Sequence, residues 1–113
     1  MVQQVLVVED YADLNSAITA ALADEYSCTS VTTPEDAIGK LRANSYETIL
    51  LSPRLPIQDD PVMHFLHEYQ PDEIHKVILM TYPDVEPSEE DCRVLVKPFN
   101  WAELAAELRS LRD

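Results

Sequence analysis

The sequence predicts an α/β fold in which a five-stranded parallel sheet carries helices on both faces. Three observations predict it. Short apolar runs alternate along the chain with segments of helical periodicity, and no segment repeats. The runs are apolar at consecutive positions, as strands buried on both faces are. Most of them end in polar or charged residues, which suits a sheet whose carboxyl edge forms a rim. With 113 residues and 46% apolar composition, the chain is expected to form one globular domain, residues 1–113, with a substantial core.

The first run, VLVVED (5–10), is too short for a helix and ends in two acids. Residues 13–23 follow, with Leu14, Ala17, Ile18, Ala21 and Leu22 at helical spacing. YSCTSV (26–31) is a second, less apolar strand, expected nearer a sheet edge. TPED (33–36) is a helix start, with Thr33 as N-cap, Pro34 at the first helical position and Asp36 in the first turn. Ala37, Ile38 and Leu41 form that helix's apolar face, and it stops near Asn44. ETILLS (47–52) is the third strand, and DPVMHFLHEY (60–69) is a helix with Val62, Met63, Phe65 and Leu66 inward. KVILMT (76–81) and CRVLVK (92–97) are the fourth and fifth strands, before a final helix from about Asn100 to Leu111. Five strands in such alternation suggest a flavodoxin-like, doubly wound sheet of order 2-1-3-4-5 with right-handed crossovers.

The connection after the fourth strand departs from this rhythm. YPDVEPSEEDC (82–92) must return the chain to the fifth strand, and Pro83 and Pro87 interrupt it. An average helix of about 11–12 residues plus two loops does not fit, so the fourth helix is expected to be shortened or missing.

Composition narrows the function classes. Acidic residues number 21 against 8 basic ones, for a net charge of −13. Such a chain repels phosphate backbones and anionic lipid, which argues against nucleic-acid and membrane partners. No stretch is long and apolar enough to span a bilayer, and the start MVQQVLVVED lacks a secretory signal's basic flank. Cys28 and Cys92 lack metal-ligand spacing and read as small hydrophobes, consistent with a cytoplasmic location.

The strand ends select the candidate site. Glu9 and Asp10, Ser52, Thr81 and Lys97 should converge on one rim as two carboxylates, two hydroxyls and an ammonium. Here the sequence resembles the receiver domain of bacterial two-component response regulators. VLVVED resembles that family's first strand with its acidic pair, and ILLSPRLPIQDD its phosphoacceptor strand and loop. VILMT resembles the strand ending in a switch hydroxyl, and LVKPF matches the Lys-Pro signature. The resemblance implies that the acidic pair and an acceptor Asp hold Mg2+, while the Thr and Lys bind the acyl-phosphate oxygens. Oxygen ligands suit a hard dication, and phosphoryl transfer is mainly positioning and charge neutralisation.

Three departures point to a pseudo-receiver. The acceptor position is Ser52, a neutral hydroxyl that makes a poor nucleophile without an adjacent base. The family's switch aromatic is replaced by Val94. The helix before the fifth strand is curtailed, leaving an acidic run of Asp84, Glu86, Glu89, Glu90 and Asp91. The expected function is non-catalytic: a phosphorylation-independent signalling module that binds a protein partner, with homodimerisation left open. The acidic run and Trp101 are its candidate interaction segment, although Trp101 is expected mainly to pack against the fifth strand.

No resident cofactor or metal is expected. Weak Mg2+ binding at Glu9 and Asp10 is weighed against a cation from Lys97 or Arg54 pairing with Asp10, and the internal pair is favoured. The alternative is a receiver switched by a non-standard phosphate or Mg2+-dependent event at the residual pocket, while a conventional switch with Asp59 or Asp60 as acceptor is disfavoured. A serine hydrolase is disfavoured, because no G-x-S-x-G elbow surrounds Ser52 and the three histidines belong to distant elements. A metal shared by His64 and His67 is likewise disfavoured.

Overall fold

A computed structural model describes residues 2–54, 56–83 and 92–112. Its strands are β1 (Gln3–Val8), β2 (Tyr26–Val31), β3 (Thr48–Leu51), β4 (Val77–Thr81) and β5 (Arg93–Val96). All pair in parallel in the order β2-β1-β3-β4-β5. The helices are α1 (Ala12–Leu22), α2 (Pro34–Ala43), α3 (Pro61–Tyr69) and α4 (Trp101–Arg112). The expected architecture and strand order are therefore observed, with β2 at an edge. The expectation of a stunted helix before β5 falls on residues 84–91, outside the described residues, as do Asp84, Glu86, Glu89, Glu90 and Asp91.

Strand periodicity of two explains both layers. Leu6, Val8, Ile49, Leu51, Val77 and Leu79 face one side, where Leu41 of α2 and Val62, Met63, Phe65 and Leu66 of α3 pack on them. Val5, Val7, Leu50, Ile78 and Met80 face the other, against Ile18 and Leu22 of α1 and Leu104 and Leu108 of α4. The apolar runs lack alternation because both faces are covered. Ala21, expected on the inner face of α1, is exposed, whereas the polar Asn15 is buried. Among the described residues no helix is long and apolar enough to cross a membrane. Cys28 is a free thiol, and burial raises its pKa above the ordinary value.

Caps fix where helices begin, and hence where the connecting loops point. Thr33 accepts the Asp36 N–H at 3.2 Å with Pro34 following, as the sequence suggested. Asp60 has a stronger role. One carboxylate oxygen caps α3 through the Met63 N–H (3.0 Å), and the other accepts the Arg54 N–H (2.6 Å). This buried side chain ties α3 to the loop that leaves β3. Asp60→Ala is expected to cost about 2 kcal/mol in urea unfolding, since it removes a cap and strands a loop N–H. The amide of Arg54 should shift in the same variant. An unchanged midpoint and an unshifted Arg54 would contradict this role.

Candidate functional site

Every strand end near the middle of the sheet sends its next residues to one rim. The Glu9 N–H bonds to Val31 O (3.2 Å), the Ser52 N–H to Val8 O (2.9 Å), and the Lys97 N–H to Thr81 O (2.6 Å). Ladder hydrogen bonds thus continue past the strands and set where these side chains start. Asn15 adds a clamp from α1: its amide donates to Glu9 O at 3.0 Å and Val31 O at 2.9 Å. A buried amide doubly bonded in this way holds the β1 and β2 ends in register. The sequence signal was a polar residue beside the inward face of α1, and it carried no hint of its partners.

Glu9, Asp10, Ser52, Thr81 and Lys97 line one cleft of about 320 Å³, with Tyr11, Leu14, Pro53, Met80 and Tyr82. Its chemistry centres on Glu9, which is only 1% exposed. Lys97 Nζ donates to Glu9 Oε1 at 2.7 Å and to Ser52 Oγ at 2.9 Å. Ser52 Oγ donates to the same carboxylate oxygen at 2.5 Å, and the Tyr11 N–H donates to Glu9 Oε2 at 2.9 Å. Burial alone would raise the Glu9 pKa. The Lys97 ammonium, the Ser52 hydroxyl and the Tyr11 N–H outweigh it and hold the carboxyl below its ordinary value.

The pairing corrects one expectation. Lys97 supplies the internal cation, but its partner is Glu9 and not Asp10. Asp10 is exposed, and no cation among the described residues pairs with it. Arg54 is exposed as well, and its N–H is given to Asp60. A second correction concerns Ser52, which does have an adjacent acceptor in Glu9. That carboxylate is a weakened base, and Lys97 donates both to it and to the Ser52 hydroxyl oxygen. Asp60 is committed as cap and loop anchor, which leaves it unsuited to accept a phosphoryl group.

The remaining candidates are dispersed. His64 Nε2 contacts Gln58 O at 2.6 Å, and among the described residues no three His, Cys, Asp or Glu side chains cluster for a metal. Val94 is half-buried against the α2/α3 layer. Trp101 is 46% exposed, with its ring edge-on to Phe99 at 6.1 Å, so it is not packed away as expected.

No protein-family model matches the sequence. The chain is 33% identical to the transcriptional regulatory protein BasR of Escherichia coli (strain K12), over 96% of this chain and 51% of that protein. It therefore spans about half the length of that relative. It superposes on the receiver domain of the sensor histidine kinase PA1611 of Pseudomonas aeruginosa PAO1 with TM-score 0.81 and 26% identity, over 100% of both chains. The chain has the fold of a receiver domain. That PA1611 receiver holds a magnesium ion in its active-site cleft. The response regulator TrrA of Thermotoga maritima, solved with Mg2+ and BeF, matches with TM-score 0.77 and 23% identity over 96% of this chain and 98% of that one. TrrA has also been solved with the histidine kinase ThkA, where the match has TM-score 0.80 and 23% identity over 98% and 99% of the two chains.

The receiver fold implies Mg2+, and the donor set here can be tested against it. Mg2+ demands near-octahedral oxygen coordination at about 2.0–2.1 Å and prefers anionic ligands. Both Glu9 oxygens are already engaged by protein donors, Ser52 offers a neutral oxygen, and among the described residues lining the cleft Asp10 alone is left as an unpaired carboxylate. These residues do not fit a resident Mg2+.

Proposed function

We propose that this receiver works without phosphorylation, as a protein–protein interaction module of a bacterial two-component pathway in the cytoplasm. Ser52 occupies the phosphoacceptor position of such a pseudo-receiver. The observation that carries this reading is the single ammonium of Lys97 bridging Glu9 Oε1 and Ser52 Oγ. An internal cation then takes the place of a metal, and the hydroxyl that would have to attack is held as a donor to Glu9. With no acceptor chemistry the module is not an enzyme, and its output is a surface. The partner is a protein, as ThkA is for TrrA, and the net charge of −13 favours a basic one.

A second reading, a switch driven by a non-standard phosphate or Mg2+ event, draws support from one feature. The Thr81 hydroxyl, on a residue that lines the same cleft, is buried without a partner among the described residues. Intact-mass spectrometry after incubation with acetyl phosphate and Mg2+ separates the two. The expected result is an unchanged mass. A gain of one phosphoryl group, with altered mobility in size exclusion, would overturn the first reading in favour of the second.

A further inference from the structure

Part of the cleft is not used by the ion pair. Thr81 is 3% exposed, and among the described residues its Oγ1 has no hydrogen-bond partner although the residue lines the cleft. Buried hydroxyls are ordinarily satisfied, so one left open beside a cavity marks a place for an incoming polar group. Asp10 stands at the same rim, and no cation among the described residues pairs with it. Tyr11 and Tyr82, 56% and 54% exposed, line the same space from the ends of β1 and β4.

The charge decides the ligand class. Lys97 is neutralised by Glu9, so Asp10 leaves the cleft net negative in a chain of net charge −13. An anion is repelled, and a cation is drawn in. Lys97 lies 5.4 Å from the Tyr82 ring centroid, and a second compact ammonium would crowd it. A guanidinium suits the space better. It is planar, spreads its charge, pairs a carboxylate through two parallel N–H bonds and stacks on aromatic rings. A cleft of about 320 Å³ takes the group with part of its stem.

We propose that this cleft receives the guanidinium of an arginine presented by a basic partner protein. Asp10 pairs with it, Thr81 Oγ1 turns from the cleft wall to accept one of its N–H groups, and Tyr11 stacks on its plane beside Tyr82. The proposal rests on the reading that the pocket is not a phosphate site, and it gives that module a specific docking point.

The test is an amide NMR titration of the labelled protein with acetyl-Gly-Arg-Gly-amide into the millimolar range, beside the same peptide carrying citrulline. The arginine peptide should give saturable shifts at Asp10, Tyr11, Thr81 and Tyr82, and the neutral citrulline peptide should not. Asp10→Asn should weaken binding about tenfold, the loss of roughly one charge-assisted pair, and Thr81→Val about threefold. Spectra unchanged elsewhere would show that both variants fold. No saturable shift, equal shifts with citrulline, or an unaffected Asp10→Asn variant would overturn the proposal. So would tighter binding of free L-arginine than of the peptide, which would make the site one for a small molecule. A parallel addition of Mg2+ and beryllofluoride reports on the phosphorylation-independent reading by itself, so either idea can fail alone.

Discussion

Lys97→Met is expected to destabilise the fold by about 3–5 kcal/mol at neutral pH, because it leaves the carboxylate of Glu9 buried without its cation. The hydrophobic replacement keeps much of the stem's packing, so the loss reports the charge. The pH dependence carries a sign that distinguishes this cause from general damage. In the wild type, Glu9 titrates below its ordinary value of 4.5, so its contribution is present above that value and lost as pH falls through the folded-state pKa. In Lys97→Met the largest lowering influence is gone, burial dominates, and the folded-state pKa moves above the ordinary value. The variant's deficit should then be greatest near neutrality and shrink as the solution is acidified past pH 4.5. Combining it with Glu9→Gln should restore most of the stability, since a neutral amide needs no cation. Urea unfolding across pH checks all three statements. A deficit independent of pH, with no rescue by the double variant, would mean that Lys97 matters by packing alone.

The second large effect comes from putting a carboxylate at position 52. Ser52→Asp should raise affinity for Mg2+ by at least about tenfold over the wild type, because affinity for such hard cations grows with the number of anionic ligands. The new carboxylate lies next to Glu9 and within reach of Lys97, which the wild-type hydroxyl meets at 2.9 Å. It therefore competes with Glu9 for the ammonium and turns the rim into a cluster of three acids, which a dication relieves. Thermal unfolding reads this directly: Mg2+ should raise the midpoint of Ser52→Asp and leave those of the wild type and Ser52→Ala unmoved. Equal Mg2+ stabilisation of all three proteins would show that Glu9 and Asp10 suffice, contrary to the account of the donor set given above.

Much of the scaffold was legible because it obeys one-dimensional rules. The runs 5–8, 49–51 and 77–80 are buried on both sides by helices, and continuous apolar sequence is how that environment reads. The strand-end rule also drew Glu9, Asp10, Ser52, Thr81 and Lys97 from the sequence, and these line one cleft. What remained hidden depends on distances between residues far apart in the chain. Adjacent acids at positions 9 and 10 look alike in sequence, yet the alternation of the strand sends Glu9 inward to Lys97, 88 positions away, and leaves Asp10 exposed. Asn15 could be seen as a misfit on an apolar face, but its two carbonyl partners exist only once β1 and β2 are paired. Asp60 was read as part of a helix. Its second bond, to the loop after Ser52, follows from how α3 packs and not from any local motif.

The central claim is that Lys97 supplies the pocket's cation from within and so takes the place of a metal. A two-dimensional amide NMR titration of the labelled protein, with Mg2+ first and beryllofluoride second, tests it most directly. The account predicts no saturable shift at Ser52, Thr81 or Lys97. Saturable shifts that start at this rim and spread along β5 would contradict it, and would restore the pocket as a phosphate-responsive switch.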